Sequence, residues 1–535
     1  MTGKISSIRF RQIKLFTAVV LYVSVLTIQA AVFYVDPQNG NMNNNGSKES
    51  PWSTLKEVFD SSKIETYKYE SKPASESAPM IIKNENAPVK AGDTLLLADG
   101  FHGKVFASEY YNTDYITIMA QPGHSPKLSS IELRSGCKWI ICGLTVSPCF
   151  DSVFEKRNII QFASHNWTGA SYDCIVENCI AYSADDISTW SEDDWNANSC
   201  NALSLPGEKM VARNNHFRNI NFGISVSGDS CLVEYNIIEN FSGDALRGLG
   251  NYGIYQYNLV KNCYDVNANH DDGFQSWSVG DDGVGTSVVK GIVLRGNTII
   301  NYEDPDQPHR GTLQGIGCFD GMFEDWIVEN NVIMVDHWHG ITLSGAKNCR
   351  IINNTVVDLN SEKPGPPWVR ISDHKNGIVS TDCIIRNNLT TSINADEGVI
   401  MDHNIVINDN YCEYFVDYSG GDLRLKPGCI AIDSGSADLA PQLDRNGNSR
   451  IVNGRIDVGA YEFNQDSNFI RFVRSPVRSI KGTVSHIQVF DLRGRLVRNM
   501  RVKSEMPARN ILLNEENLGS SYYLFRYRMS NFSHR

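Results

Sequence analysis

Four short segments of the chain share one pattern of residues and decide how it folds: Asp244-Ala245-Leu246-Arg247, Asp272-Gly273-Phe274-Gln275, Gln314-Gly315-Ile316-Gly317 and His339-Gly340-Ile341-Thr342. Each segment has a polar residue first, a small one second, an apolar one third and a variable one fourth. This alternation predicts a short strand with period-two geometry and one buried face.

Stacking these segments as equivalent strands of successive coils would place neighbouring strands about 4.8 Å apart. The residues would then form two outward columns. The first column contains Asp244, Asp272, Gln314 and His339, and the second contains Arg247, Gln275, Gly317 and Thr342. We call these eight residues the polar strip and predict that it is the active site.

A second repeat begins near Ile131, where an asparagine followed by apolar residues recurs along the chain. The repeated asparagines are Asn178, Asn215, Asn236, Asn258, Asn297, Asn331, Asn354 and Asn388. The shortest spacings are 21 to 23 residues, and short strands with one buried asparagine per turn are typical of a right-handed parallel β-helix. Stacked amides bond to each other, so we expect these asparagines to be structural. The Leu-x-x-Leu-x-Leu pattern of a leucine-rich repeat is absent.

Composition narrows the classes of function. The 535 residues are 41% hydrophobic and 21% charged, as in folded globular proteins. The net charge of −12 argues against a nucleic-acid partner, which needs a basic face, but permits a local basic patch for an acidic polysaccharide. The chain has thirteen cysteines, an odd number, which argues against a framework of disulfides. Cys-x-x-Cys pairs are absent, which argues against a structural zinc site, so we expect the cysteines to be packing residues.

The amino terminus has the pattern of a secretory signal. Four basic residues precede an apolar run at residues 15–28, which is followed by small residues at Ala30 and Ala31. We therefore predict an exported, monomeric protein with a signal peptide at 1–30, an N-terminal cap and first coils at 31–130, a β-helix with its closing segment at 131–463, and a small β-sandwich at 464–535.

The C-terminal segments at residues 487–497 and 518–525 contain Asp491-Leu492-Arg493-Gly494-Arg495 and Tyr522-Tyr523-Leu524. They resemble the sorting domain of type IX secretion substrates. The resemblance implies that the type IX secretion machinery is a partner, and that the protein is secreted or attached to the outer cell surface.

Two stretches are longer than one coil requires. The 42 residues between Asp272 and Gln314 exceed a bare coil by about 20 residues, and Pro364-Gly365-Pro366-Pro367-Trp368 is added between Asn354 and Asn388. Long loops beside one face of a solenoid usually form the walls of a cleft. Both loops are expected to flank the polar strip.

Two chemistries fit the strip. In β-elimination, Arg247 or a calcium ion on Asp271 and Asp272 neutralises a uronate carboxylate, and His339 removes the proton at C5. In hydrolysis, Asp244 and Asp272 form the pair of carboxyl groups that glycosidases use. Elimination is the leading prediction. The predicted substrate-binding residues are Gln275, Gln314, His270, Trp277, His337, Trp338 and Arg370.

Two resemblances bear on this choice. Asp271-Asp272-Gly273-Phe274 is similar to the calcium-binding turn of secreted pectate-lyase-like β-helix enzymes, particularly pectate lyase family 9, and implies Ca²⁺ as a cofactor. Asp271-Asp272, His339-Gly340-Ile341 and Arg370-Ile371-Ser372 resemble polygalacturonase motifs, which implies hydrolysis. A non-catalytic, glycan-binding surface adhesin is the third alternative.

Overall fold

The computed structural model describes residues 30–463 except 409 and 453, together with the backbone of three strands near the C-terminus. Residues 1–29 of the predicted signal peptide lie outside this part of the chain. Within the described residues, no helix is both long and apolar enough to cross a membrane.

Two α-helices are described, α1 (Leu55–Asp60) and α2 (Glu192–Asn198), with 3₁₀ turns at Pro148–Phe150 and Tyr411–Glu413. The N-terminal strands are β1 (Val32–Val35), β2 (Thr66–Tyr69), β3 (Met80–Lys83), β4 (Thr94–Leu97), β5 (Gly100–Phe101), β6 (Lys104–Ala120), β7 (Pro126–Leu128), β8 (Ser130–Cys142) and β9 (Thr145–Val146).

The strands of the coils follow. They are β10 (Asn158–Ala163), β11 (Ile175–Glu177), β12 (Ile180–Tyr182), β13 (Asn201–Leu205), β14 (Val211–Arg213), β15 (His216–Ile220), β16 (Ile224–Val226), β17 (Leu232–Glu234), β18 (Ile237–Phe241), β19 (Leu246–Gly248), β20 (Ile254–Gln256), β21 (Leu259–Cys263), β22 (Asp272–Trp277), β23 (Val279–Gly280), β24 (Gly283–Val284), β25 (Val289–Lys290), β26 (Val293–Arg295), β27 (Thr298–Ile300), β28 (Gln314–Asp320), β29 (Phe323–Glu324), β30 (Ile327–Glu329), β31 (Val332–Val335), β32 (His339–Ser344), β33 (Ala346–Lys347), β34 (Arg350–Ile352), β35 (Thr355–Asp358), β36 (Trp368–Ser372), β37 (Ile384–Arg386), β38 (Leu389–Thr390), β39 (Ile393–Ala395), β40 (Ile400–Asp402) and β41 (Ile405–Val406). The remaining described strands are β42 (Phe415–Asp417), β43 (Asp422–Leu425), β44 (Val484–Asp491), β45 (Leu496–Arg501) and β46 (Tyr523–Met529).

Each full coil contributes one strand to each of three parallel sheets. The coil that starts at β19 continues through β20 and β21, and β22 then returns to pair with β19. The first sheet contains β10, β13, β16, β19, β22, β28, β32, β36 and β39, and the polar strip lies on it. Buried aliphatic and aromatic side chains fill the interior of the stack. The predicted parallel β-helix is confirmed.

A ladder of buried asparagines runs along the corner between the second and third strands of each coil. The Nδ2 of Asn215 donates to the Oδ1 of Asn236 at 2.9 Å, and the same bond joins each asparagine to the next through Asn404. Each Nδ2 in the ladder also donates to a backbone carbonyl of the preceding coil, as Asn236 does to Ala212 at 2.9 Å. The asparagines are therefore structural, as predicted.

The assignment of Asn178 to this ladder was wrong by one residue. Glu177 pairs with Arg213, so the ladder position beside Asn215 belongs to Cys179, whose N–H donates to the Oδ1 of Asn215 at 3.0 Å. Asn178 occupies the left-handed turn position with φ of 57°, which asparagine tolerates better than most residues. The two kinds of asparagine are adjacent in each turn, and spacing does not distinguish them.

Five described strands follow the last coil of the β-helix. β42 and β43 form an antiparallel pair after the last coil. Near the C-terminus, β44 pairs antiparallel with both β45 and β46. These three strands form one sheet, and the rest of the predicted sandwich lies outside the described residues.

All thirteen cysteines are free thiols, and eleven of them are buried, which agrees with packing roles.

We expect Asn297→Ala to weaken the fold because the ladder has no substitute acceptor at that level. The Oδ1 of Asn297 accepts both the backbone N–H and the Nδ2 of Asn258, at 3.0 Å and 2.9 Å. Each buried donor left without a partner costs about 1–3 kcal/mol. The urea midpoint, followed by near-ultraviolet circular dichroism, should fall for this variant and stay unchanged for the exposed control Asn394→Ala. Equal midpoints for the two variants would contradict the ladder's role.

Candidate functional site

The structure brings the first residues of the four segments together on the first sheet. Asp272 is paired with Gln314, and the N–H of Asp272 donates to the Oδ1 of Asp244 at 3.2 Å. Ile316 pairs with Ile341, which sets Gln314 beside His339. The predicted juxtaposition is therefore present.

The strip does not follow the predicted period-two alternation. The first and fourth residues of a segment share the outward face, since Arg247 Nε lies 2.5 Å from Asp244 Oδ2 and Gln275 Nε2 lies 2.9 Å from Asp272 Oδ2. The second and third residues both face inward. The chain bends at the start of each strand, which explains the small second residue.

The close approach at the second position excludes larger side chains. A Cβ at Gly273 would lie 2.6 Å from a methyl carbon of Ile299, and one at Gly315 would lie 2.7 Å from a methyl carbon of Ile333. Real Cβ atoms do not come this near to other carbons, because the interior is already close-packed. The small residue therefore serves the bend that turns both polar residues outward.

The carboxylates of the strip are buried beneath a cation. Asp244 is 2% exposed and Asp272 is fully buried, whereas the Arg247 side chain is 26% exposed. Burial raises the pKa of Asp272 well above its usual range, and the neighbouring charges of Asp244 and Asp271 raise it further. Asp244 contacts Arg247 directly and so orients the guanidinium, whereas the raised pKa of Asp272 favours its neutral form.

Asp272 and Gln314 meet over a residue that has no side chain. The Oδ1 of Asp272 and the Oε1 of Gln314 lie 2.1 Å and 2.9 Å from the point where a Cβ of Gly317 would be. Both oxygens are buried and have no other hydrogen-bond partner. A protonated Asp272 satisfies both of them, because its O–H can donate to the Gln314 carbonyl. The absence of a side chain at Gly317 leaves the space that these two oxygens border.

Asp271 points into a pocket beside the strip. The pocket has a volume of about 210 Å³ and is lined by Asp265, Asn269, His270, Asp271, Thr312, Gln314 and His337. The Oδ1 of Asp271 is buried without a partner. Burial raises the pKa of Asp271 to about 8, with smaller contributions from Asp265 and Asp244. Asp271 is therefore a carboxylic acid that retains its proton at neutral pH.

His339 is a neutral imidazole at the edge of the strip. Burial, followed by the nearby charges of His337, Arg370 and His270, lowers its pKa to about 4. Its Nδ1 lies 2.9 Å from the Oγ1 of Thr342, which also accepts the Nε1–H of Trp368 at 3.0 Å. A hydroxyl oxygen has two lone pairs and can accept from both groups. In that arrangement the Nε2 of His339 carries a free lone pair.

Aromatic rings surround the two cations. The Arg247 guanidinium lies 3.7 Å from the ring centre of Phe222 and 5.5 Å from that of Trp277. Arg370 lies 5.6 Å from Trp368, whose ring is nearly parallel to that of Trp338 at 6.2 Å. Trp338 is 44% exposed. These rings offer flat apolar faces next to charged groups, as sites for amphipathic ligands do.

Parts of the two predicted insertions, and one loop that the sequence did not single out, form one wall beside the strip. Residues 264–271, 301–313 and 359–367 each precede a strand of the first sheet. Helix α2 supports this wall, since the Trp195 ring stacks on Tyr264 at 4.6 Å and the Asn196 Nδ2 donates to the Val266 carbonyl at 2.8 Å. The wall keeps the pocket around Asp271 and His337 beside the strip.

Two site residues were missing from the sequence prediction, Phe222 and Trp368. Trp368 was predicted only as part of an inserted loop, and together with Thr342 of the polar strip it orients the His339 ring. Phe222-Gly223-Ile224-Ser225 follows the same small-then-apolar pattern and pairs with the Asp244 segment. Extending the pattern by one coil would have found Phe222.

Calcium at Asp271 and Asp272 remains a prediction. Asp272 Oδ1 lies over Gly317, whereas Asp271 is a lining residue of the pocket, and in the described part of the chain no three His, Cys, Asp or Glu residues gather into a metal-binding group. Calcium takes six to eight oxygens. These side chains by themselves do not fit the ion, so the mechanism proposed below does not use it.

Comparison with known proteins places the strip within a recognised repeat. Residues 201–363 match the family described as right handed beta helix region. Pectate lyase Pel9A is 15% identical and has a TM-score of 0.40, with 82% of this chain and 98% of that chain covered. XylC in complex with xylose is 9% identical, covers 70% and 83%, and has a TM-score of 0.44. The A-module of mannuronan C-5 epimerase AlgE4 of Azotobacter vinelandii is 12% identical, covers 59% and 91%, and has a TM-score of 0.38. The family match makes the fold a right-handed parallel β-helix, as predicted.

We expect Asp271→Asn to stabilise the protein at pH 7 but not at pH 4. A raised pKa means that the native state holds its proton from about pH 4 to 8 while the unfolded state has lost it. Stability therefore falls as pH rises through this window, by up to about 1.4 kcal/mol per pH unit. Urea midpoints across the window should lose this slope in the variant and keep it in the exposed-loop control Asp282→Asn. An unchanged slope in Asp271→Asn would show that this carboxyl is not held protonated.

Proposed function

We propose that this protein is an exported enzyme that binds an acidic polysaccharide and cleaves it by β-elimination. One observation carries the proposal. On the polar strip the partly exposed groups are guanidinium and imidazole, whereas the carboxylates beneath them are buried. Such a surface attracts a carboxylate of the ligand, and a uronate supplies one.

Arg247 is the group proposed to receive the uronate carboxylate. Its Nε is held by Asp244, and its guanidinium lies between Phe222 and Trp277, so the remaining N–H donors are pre-positioned for a bidentate contact. Neutralising the carboxylate stabilises the negative charge that develops when the proton on C5 is removed. Asp244 is a positioning residue in this scheme.

His339 is the proposed base. If Nδ1–H donates to Thr342, the Nε2 lone pair can take the C5 proton. The electron pair of that C–H bond forms the C4–C5 double bond, and the C4–O bond breaks. The low pKa of His339 in the free protein keeps the imidazole neutral. Positive charge on Arg370 contributes to that low pKa, and the negative charge of a bound uronate raises the pKa for the same electrostatic reason.

Asp271 is the proposed acid. The departing oxygen on C4 needs a proton, and Asp271 holds one at neutral pH in the pocket that it shares with Gln314, His270 and His337. Asp272, protonated against Gln314, keeps the acidic cluster from accumulating charge. Trp338 and Trp368 offer stacking faces for neighbouring sugars.

Glycoside hydrolysis is the second candidate, and Asp271 favours it, because a carboxyl that keeps its proton is also what protonates a glycosidic oxygen. A hydrolase needs a second carboxylate that reaches the sugar or a water molecule. Asp244 and Asp272 are buried, and Arg247 and Gln275 contact them. Elimination therefore agrees better with the contacts of these two carboxyl groups, because it does not need either of them to reach the sugar.

Export through the type IX machinery and location at the cell surface remain part of this proposal. They rest on the sequence patterns at residues 1–30 and 464–535, which lie largely outside the described structure. A polymer too large to enter a cell requires an enzyme outside it, so export and a polysaccharide substrate are mutually consistent.

We expect His339→Ala to reduce kcat about 10²–10⁴-fold, the usual contribution of a positioned base. Arg247→Lys should act mainly on KM, because lysine keeps the charge but loses the two-pronged contact. Initial rates on polygalacturonate and alginate, together with binding of the intact polymers, would measure both effects. The exposed His403→Ala at the end of the coils should behave as wild type. Full activity in His339→Ala would remove this histidine from the mechanism.

The products separate the two chemistries. Elimination creates an unsaturated uronate with new ultraviolet absorbance, whereas hydrolysis creates reducing ends without it. We expect both signals to rise together on a uronate polymer. Reducing ends alone would favour hydrolysis, and binding without either product would favour an adhesin. A parallel assay in EDTA tests the calcium prediction, which requires activity to fall and to recover with added Ca²⁺.

A further inference from the structure

A second cavity lies well away from the pocket of the polar strip. It has a volume of about 340 Å³ and is formed by the loop between β2 and β3 and the loop that follows β10. Its lining residues are Tyr69, Pro73, Ala74, Ser75, Glu76, Ser164, His165, Asn166, Gly169 and Ala170. None of them belongs to the site described above.

The loop at residues 164–170 is anchored on a cluster of tyrosines. Tyr111 donates its hydroxyl proton to the backbone carbonyl of Thr168 or Ala170, at 2.7 Å and 3.0 Å, and Ser135 donates to the carbonyl of Gly169 at 2.8 Å. A Cβ at Gly169 would lie 2.5 Å from the Tyr111 hydroxyl oxygen. The backbone therefore rests directly on the ring cluster.

This anchored loop presents Trp167 to solvent. The indole is 68% exposed, although Tyr69 and Tyr111 in the same region are buried. A loop with this many backbone contacts cannot collapse to cover the ring. A large apolar face on a loop whose other residues line a cavity is an arrangement that ligand sites use.

The polar groups around Trp167 indicate a sugar. The Lys72 ammonium lies 5.1 Å from the ring centre of Trp167, and Glu76 and Asn166 line the cavity. A pyranose has an apolar face that can stack on an indole, and hydroxyl groups around its edge that carboxylate and amide groups can bind. An acidic sugar would place its carboxylate near Lys72.

The cavity and the polar strip share one sheet. The loop begins where β10 ends, and β10 is three strands from β19, which is about 14 Å at 4.8 Å per strand. Between Arg247 and β10 the outward residues in register are Ser225, Ser204 and Gln161. Two of these three residues are serines, so small polar groups lie on the sheet between the two sites.

We propose that the cavity lined by Tyr69 and Glu76, together with Lys72 and Trp167 on the two loops that form it, is a second glycan-binding site, which holds a distal unit of the acidic polysaccharide. The choice of polymer rests on the proposed function. The site supplies affinity for long chains, because two linked contacts bind a polymer more tightly than either contact alone. It takes no part in the bond-breaking step.

The test compares Trp167→Ala with wild type in the full-length protein, using polygalacturonate and alginate polymers and their trisaccharides. We expect the variant to bind the polymer roughly tenfold more weakly, as loss of one stacked aromatic predicts. Trisaccharide binding and kcat should be unchanged. Tyr252→Ala, which removes another exposed aromatic ring from a turn between the first two sheets, is the matched control.

A second variant tests the charge. Lys72→Met should weaken binding of the acidic polymer at low salt, and the difference should disappear at high salt as the charge is screened. Unchanged urea midpoints in both variants would exclude a folding defect.

The outcomes separate this inference from the proposed function. Weaker polymer binding by Trp167→Ala supports the second site even if no product forms, a result that would refute only the proposed reaction. Polymer cleavage with equal KM and equal binding in wild type and Trp167→Ala overturns the second site and leaves the reaction intact. A wild-type protein that binds neither polymer also overturns this inference.

Discussion

The asparagine ladder is the interaction on which the rest of the structure depends. Each amide donates to the next asparagine and to a backbone carbonyl of the preceding coil, so it connects three consecutive coils at one corner. A parallel strand has few ways to resist a slip along its neighbour, and a slip of one residue would exchange its faces. Because the ladder is buried and each bond is needed by two coils, it holds the register of all three sheets.

That register makes the candidate site possible. Asp244, Asp272, Gln314 and His339 are separated by 25 to 42 residues in sequence and become neighbours only because their coils are stacked in phase. Inserted residues do not disturb this phase, since they leave the coil at its corners and return to the same position. The loops at 264–271 and 301–313 therefore lengthen one wall of the site without moving the strip.

Several acidic side chains in and beside the strip are buried close together, which costs free energy that an apolar core would not. Three carboxyl groups, Asp244, Asp271 and Asp272, are buried near one another, and burial raises the pKa of each. Arg247 compensates the charge of Asp244, and the raised pKa values of Asp271 and Asp272 favour the protonated forms of these two groups. Groups with such perturbed pKa values commonly mark functional sites. In the proposed reaction they position a cation and supply a proton.

The sequence by itself determined the repeat, the fold class and the identity of the residues that face one another, because the asparagine spacing and the four aligned segments report the period of a coil. It could not determine the bend at the start of each strand, which places the first and fourth residues on one face and explains Gly273, Gly315 and Gly340. Nor could it separate the turn asparagine Asn178 from the ladder asparagine Asn215, since the two positions are adjacent in every coil. Only the tertiary structure decided which polar groups are buried and which are exposed. That depends on contacts between coils such as Arg247 over Phe222 and Trp368 with Thr342, and side chains more than twenty residues apart make those contacts only after the coils have stacked.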